Sequence, residues 1–112
     1  MSCPVVLITG QLLTDAVWQP LMEAWPGRDI ILADNRHDDS IAGFADRLLA
    51  AAPPVFDLIA HAMGGFVAFE VMRRAPGRVR RLVLIATLAS ADGPAQTARR
   101  QGYIDLVESG RF

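Results

Sequence analysis

Val55-Phe56-Asp57-Leu58-Ile59-Ala60-His61-Ala62-Met63-Gly64-Gly65-Phe66-Val67-Ala68-Phe69 is the stretch around which the fold is organised. An apolar run of strand length ends at Ala60, passes through a few small residues, and resumes as an apolar run at helical spacing. That pattern predicts a strand, a sharp turn and a buried helix. Small residues at 60, 62, 64 and 65 let the strand feed directly into a helix packed tightly on the sheet. The apex residue then projects above the strand ends, beside the unpaired amides of a helix N-terminus.

Outward from this stretch, strands and helices alternate. The helix closes at Ala75-Pro76-Gly77, and 79–86, with Arg80-Arg81-Leu82-Val83-Leu84-Ile85-Ala86 as its body, reads as another strand. Asp92-Gly93-Pro94 caps a last helix running to about residue 109. On the N-terminal side, Pro53-Pro54 stops a helix in which Ile41, Phe44, Ala45, Leu48, Leu49 and Ala52 share one face, with Ser40 as N-cap. Asp29-Ile30-Ile31-Leu32-Ala33-Asp34 is a short buried-type strand, followed by the polar loop 35–39. A helix over about 17–24, capped by Thr14 or Asp15, tolerates Pro20 in or near its first turn and ends at Pro26-Gly27. Pro4-Val5-Val6-Leu7-Ile8-Thr9-Gly10 is a continuous apolar run stopped by glycine, as for a strand buried on both faces. With no hairpin signals and no internal repeat, the order predicts an α/β fold: a three-layer, doubly wound parallel sheet of about four strands with right-handed crossovers.

Composition narrows the function classes. The chain has 112 residues and a net charge of -1, the balance of a globular domain without a strong electrostatic partner. All the basic residues are arginine, and Arg73, Arg74, Arg78, Arg80 and Arg81 cluster, yet acidic residues nearly match them and no aromatics interleave. This reads as a solvated surface, not a nucleic-acid face. No apolar run has membrane-spanning length and no basic-then-apolar leader opens the chain, so no membrane role is expected and a cytoplasmic location is. Cys3 is the single cysteine and cannot form an internal disulfide. No residue pattern calls for a metal or other cofactor.

Ala60-His61-Ala62-Met63-Gly64-Gly65 resembles the nucleophile elbow of the α/β-hydrolase family, whose pattern is Gly-x-Ser-x-Gly. Ala60 stands at the first glycine, Gly64 at the last, and Ala62 where the serine belongs. The resemblance covers most of the chain but only part of that fold. It implies that 1–88 is the N-terminal part of the hydrolase core and 89–112 the start of a cap or lid, with the family's acid and histidine later. The implied chemistry is acyl transfer: serine attacks a small carboxylic ester, histidine takes its proton, and an acid orients the histidine. The resemblance places the two oxyanion donors at the main-chain amides of Met63 and of Gln11, which follows Thr9-Gly10. The family often has histidine where Thr9 stands, a departure that leaves a main-chain donor intact. His61, Gly64 and Gly65 become supports of the turn.

A methyl group at Ala62 can neither attack nor donate a proton, and losing a triad serine costs roughly 10⁶ in turnover. The expectation is therefore an acyl-binding pocket without hydrolysis. Two origins of Ala62 stay open: an enzyme altered at its nucleophile, or a natural non-catalytic binding or interaction module on the same scaffold. A flavodoxin-like domain is a weaker alternative, because Gly10-Gln11-Leu12-Leu13-Thr14 offers one glycine where a phosphate loop needs several. Other polar residues have plainer readings: His37 solvated, Asp34 stabilising its loop, Asp92 capping the last helix. Trp18 and Trp25 are expected to pack the first helix on the sheet. The outer edge of the strand at Leu82-Val83-Leu84-Ile85 is expected to lack a pairing partner and to recruit a complementary C-terminal fragment or a second copy. The last helix has few apolar anchors and is expected to be mobile or to borrow contacts.

Overall fold

The computed structural model describes residues 3–111; the outermost positions of the two segments assigned from sequence, 1, 2 and 112, lie outside the described residues. Four parallel strands, β1 (Val5–Ile8), β2 (Ile30–Leu32), β3 (Phe56–His61) and β4 (Val79–Ile85), form one sheet in the order β2-β1-β3-β4. The register sets Ile8 beside Ala60 and His61 beside Ile85, so the C-terminal ends of the three long strands share one rim.

The strand pattern sorts side chains onto two faces. Val6, Ile8, Phe56, Leu58 and Ala60 pack against α2 (Ile41–Ala51) and α3 (Gly64–Arg74) through Phe44, Ala45, Leu48, Val67, Ala68 and Val71. Val5, Leu7 and Ile59 pack on the other face against Trp18, with Leu21 and Met22 of α1 (Gln19–Ala24) around it. The fold is thus three-layered α/β, as its alternating elements predict.

Local chemistry explains the boundaries. Ser40 Oγ accepts from Gly43 N at 3.0 Å and starts α2. At the other end, Arg78 donates to the carbonyls of Leu49, Ala52, Pro53 and Pro54 at 2.9–3.2 Å, supplying partners that the last turn of α2 lacks. Its guanidinium also lies 5.7 Å from the Phe56 ring centroid. Asp57 is buried at the N-terminal end of the sheet between Arg28 at 3.0 Å and Arg80 at 2.8 Å. Hydrogen bonds from Arg80 lead in holding its carboxyl below the usual range. Glu70 binds Arg73 and Arg74, and Arg74 also reaches Asp46, tying α3 to α2.

Several local expectations are corrected. The helix expected over 17–24 is two pieces: a 3₁₀ turn at Asp15–Trp18, where Thr14 Oγ1 accepts from Ala16 N at 3.3 Å, and then α1, with Pro20 in its first turn. Proline lacks an amide and crowds the preceding turn, so the junction falls there. Trp18 is buried, but Trp25 is exposed and lies under Arg28, 5.2 Å from its ring centroid. Four of the five clustered arginines are engaged in the ion pairs and the carbonyl clamp just described, so that surface is built, not merely solvated. The last helix, α4 (Pro94–Glu108), is capped by Gly93 with no side-chain bond, and Asp92 binds Arg100 instead. No helix among the described residues is long and apolar enough to cross a membrane.

Candidate functional site

The site is built where β3 turns into α3. Ala62 takes φ 52°, in the left-handed region that L-residues avoid at a cost of about 1–2 kcal/mol. The turn is held by three bonds to its backbone. Ala62 N donates to Ile85 O at 2.9 Å, while Ala62 O accepts from Gly65 N at 3.0 Å and from Thr87 Oγ1 at 2.7 Å. Ala86, at the matching end of β4, has φ 51°, so two neighbouring strands end in the same kind of step.

The glycines are required by close approach. A Cβ on Gly64 would lie 2.8 Å from Ile8 O, and one on Gly65 would lie 2.0 Å from Thr87 Oγ1. On Gly10, a Cβ would sit 3.1 Å from both Ala62 Cβ and His61 Nδ1. Gly10, Ala62 and the start of α3 therefore form one tight junction, which brings β1, β3 and β4 together at the C-terminal rim. In an open parallel sheet this rim, where strand order reverses between β1 and β3, is where ligands bind.

Above the junction lies a cavity of about 220 Å³ that Gln11, Ala62, Met63 and Thr87 help to line. Phe66 and Leu88 add apolar wall, and Gln96 and Arg100 of α4 border it. Gln11 and Met63 thus reach the same space as Ala62. No hydrogen bond from either main-chain N–H is present among the described residues; Met63 is the N-cap of α3, and the helix's own bonding begins after it, with Gly65 N on Ala62 O and Phe66 N on Met63 O, each at 3.0 Å. A larger depression of about 600 Å³ along α2 is shallow and open, and its Arg47 is already engaged by Asp38.

The two histidines are elsewhere. The His61 ring meets Trp18 edge-on at 6.3 Å, and its buried Nδ1 has no hydrogen-bond partner. Trp18 Nε1 donates to the buried Thr9 Oγ1 at 3.0 Å, and that hydroxyl contacts Asp15 Oδ1 at 3.3 Å. His61, Thr9 and Trp18 thus brace the underside of the junction. His37 is exposed, yet instead of being only solvated its Nδ1 lies 2.6 Å from Asp34 Oδ2. The Arg36 amide leads in holding the Asp34 carboxyl below its usual range, so this aspartate does stabilise its loop. No histidine or carboxylate lines the Ala62 cavity.

Sequence reading brought Gly10, Gln11, His61, Ala62, Met63, Gly64 and Gly65 to one place. It missed Thr87, Gln96 and Arg100. Thr87 had a usable signal, since it follows a parallel strand at the rim that carries the turn. Gln96 and Arg100 had none, because the placement of α4 is not written in its own pattern. No family model and no curated protein matches the chain.

Proposed function

We propose that this chain is a member of the α/β-hydrolase family whose parent activity is hydrolysis of a small carboxylic ester, or acyl transfer from one, through a serine at position 62. With alanine there, it binds the acyl compound and does not turn it over. The observation that carries the reading is the left-handed φ of Ala62 on a strand-to-helix step that shares one cavity with Gln11 and Met63. A residue other than glycine is held in that region only where the surroundings fix it, and such strain concentrates at functional sites. Two main-chain donors without protein acceptors are what a developing oxyanion requires. In this reading they polarise the carbonyl of a bound ester, and a methyl group in place of the nucleophile stops the reaction there. A non-catalytic binding module is the second reading, favoured by the lack of any base in the cavity. The exposed outer strand β4 fits either reading as the place where a complementary C-terminal segment or a second copy adds to the sheet.

Titration of the labelled protein with phenyl butyrate, followed by amide NMR, tests the site. Shifts confined to Gln11, Met63 and their neighbours, without release of phenol, are expected; an ester that leaves both amides unmoved sinks the proposal. Ala62→Ser in a chain extended to supply an acid and a histidine separates the two readings. Phenyl ester hydrolysis supports the enzyme origin, and binding without hydrolysis supports the binding module.

A further inference from the structure

A second concavity adjoins the Ala62 cavity. It is a mainly apolar slot of about 360 Å³ between α4 and the loop after β1, with Leu12, Tyr103, Ile104 and Val107 on its walls and Glu108 also lining it, near the end of α4 away from Arg100. The first four side chains are 44–67% exposed, a large apolar surface for one small region. Gln11 and Arg100 belong to both spaces and join across their boundary, Arg100 Nη1 donating to Gln11 Oε1 at 2.8 Å. Arg100 Nε is held by Asp92 Oδ2 at 2.5 Å. Among the described residues, Arg100 is the only charged one lining the Ala62 cavity, and its Nη2 makes no hydrogen bond to any of them.

We propose that the two spaces form one site for an aliphatic monocarboxylate: the carboxylate lies over Ala62 beside Arg100, and the alkyl chain runs past Gln11 into the slot under α4. This rests on the proposed acyl-binding reading and adds the ligand's charge and shape. A neutral ester needs neither a free guanidinium donor at its head nor an exposed apolar slot; an acid with a hydrocarbon tail uses both. Fixed by Asp92 on one side and Gln11 on the other, the guanidinium keeps a donor for the carboxylate without reorganising. The tail gains the free energy of leaving water, about 0.8 kcal/mol per buried CH₂, which is about fourfold in affinity.

Butyrate, hexanoate, octanoate and 1-octanol, each titrated into the labelled full chain, provide the test. Affinity should rise about fourfold per CH₂ from butyrate to octanoate, with shifts at Ile104 and Val107 appearing as the chain lengthens. Octanoate should bind at least tenfold more tightly than octanol. Arg100→Gln should remove that preference, whereas Arg100→Lys, which keeps the charge and loses the fork, should retain part of it. Ile104→Asn, which adds polarity without charge, should weaken octanoate and octanol alike and butyrate far less. If butyrate moves Gln11 and Met63 but octanoate binds no better, the slot is refuted and the acyl site stands. If octanoate moves Ile104 while no acid moves Gln11 or Met63, the acyl site itself falls and this proposal with it. Equal binding of octanoate and octanol, unchanged in Arg100→Gln, overturns the part given to Arg100.

Discussion

Val5-Val6-Leu7-Ile8 and Leu82-Val83-Leu84-Ile85 are nearly the same sequence in the same parallel sheet, yet their surroundings are opposite. The β1 residues are at most 1% exposed, whereas the four in β4 are 36–47% exposed. β1 lies between two strands and two helical layers; β4 has β3 on one side and an open edge on the other. A strand's own residues therefore state that it can be buried. What buries it is decided by neighbours far away in sequence.

Matched truncations put this contrast to its strongest test. Leu7→Ala should cost about 4 kcal/mol and lower Tm by more than 10 °C, because a cavity opens between close-packed layers. Leu84→Ala should cost less than about 1 kcal/mol, since little is removed from contact. Equal losses, measured by chemical denaturation, would mean that β4 is covered in solution. Light scattering would then show association, and Leu84→Lys should disperse it.

A smaller effect is expected at the seam between the well-packed and open regions. Arg78→Ala should cost about 2 kcal/mol, because losing a charged donor leaves the carbonyls at and just beyond the end of α2 without partners. Arg78→Lys should recover little of it, as a single ammonium cannot span four carbonyls held by a planar fork.

Acid titration reaches first the pairs on α3. Hydrogen bonds from Arg73 and then Arg74 lower the Glu70 carboxyl from 4.5 to about 2. A depressed carboxylate stabilises the fold fully above its unfolded value and loses that contribution as pH falls through the folded one. Tm should therefore decline from near pH 5 towards pH 2, with the lowered Asp57 adding to the loss at the acid end. Glu70→Gln should flatten the upper part of the decline; an unchanged pH profile would show that the pairs to Arg73 and Arg74 carry no weight in solution. The smallest change belongs to Ala62→Gly, which relieves the positive φ but loosens the unfolded chain. A gain of about 0.5 kcal/mol is expected, and a loss of 1 kcal/mol or more would mean that the left-handed conformation is not kept in solution.

Much of the layered core was legible because period-2 and helical patterns act locally: Val6, Ile8, Phe44 and Leu48 announced their faces. The turn was legible for a different reason, since small residues at 60, 62, 64 and 65 permit a close approach that larger side chains would block. The split of the first helix at Pro20 was only half legible, because proline permits a first turn as readily as it forces a junction. Asp92 read as a cap and became a partner of Arg100, and Trp25 read as core and became a platform for Arg28. In each case a pairing with a nearby arginine outcompeted the role that the residue's position in the pattern suggested. Arg100 stayed hidden because its role arises from distances between elements that no window of the chain contains.

β3 and β4 each finish on an alanine bent the same way, cross-braced by Ile85 O and the Thr87 hydroxyl. Adjacent strands that end alike make a ledge whose shape resides in the main chain. Whatever stands on it, hydrogen, methyl or hydroxymethyl, inherits the direction of its first bond from the backbone. Reactivity at position 62 and the architecture beneath it are therefore separable traits, and selection can alter the first without rebuilding the second.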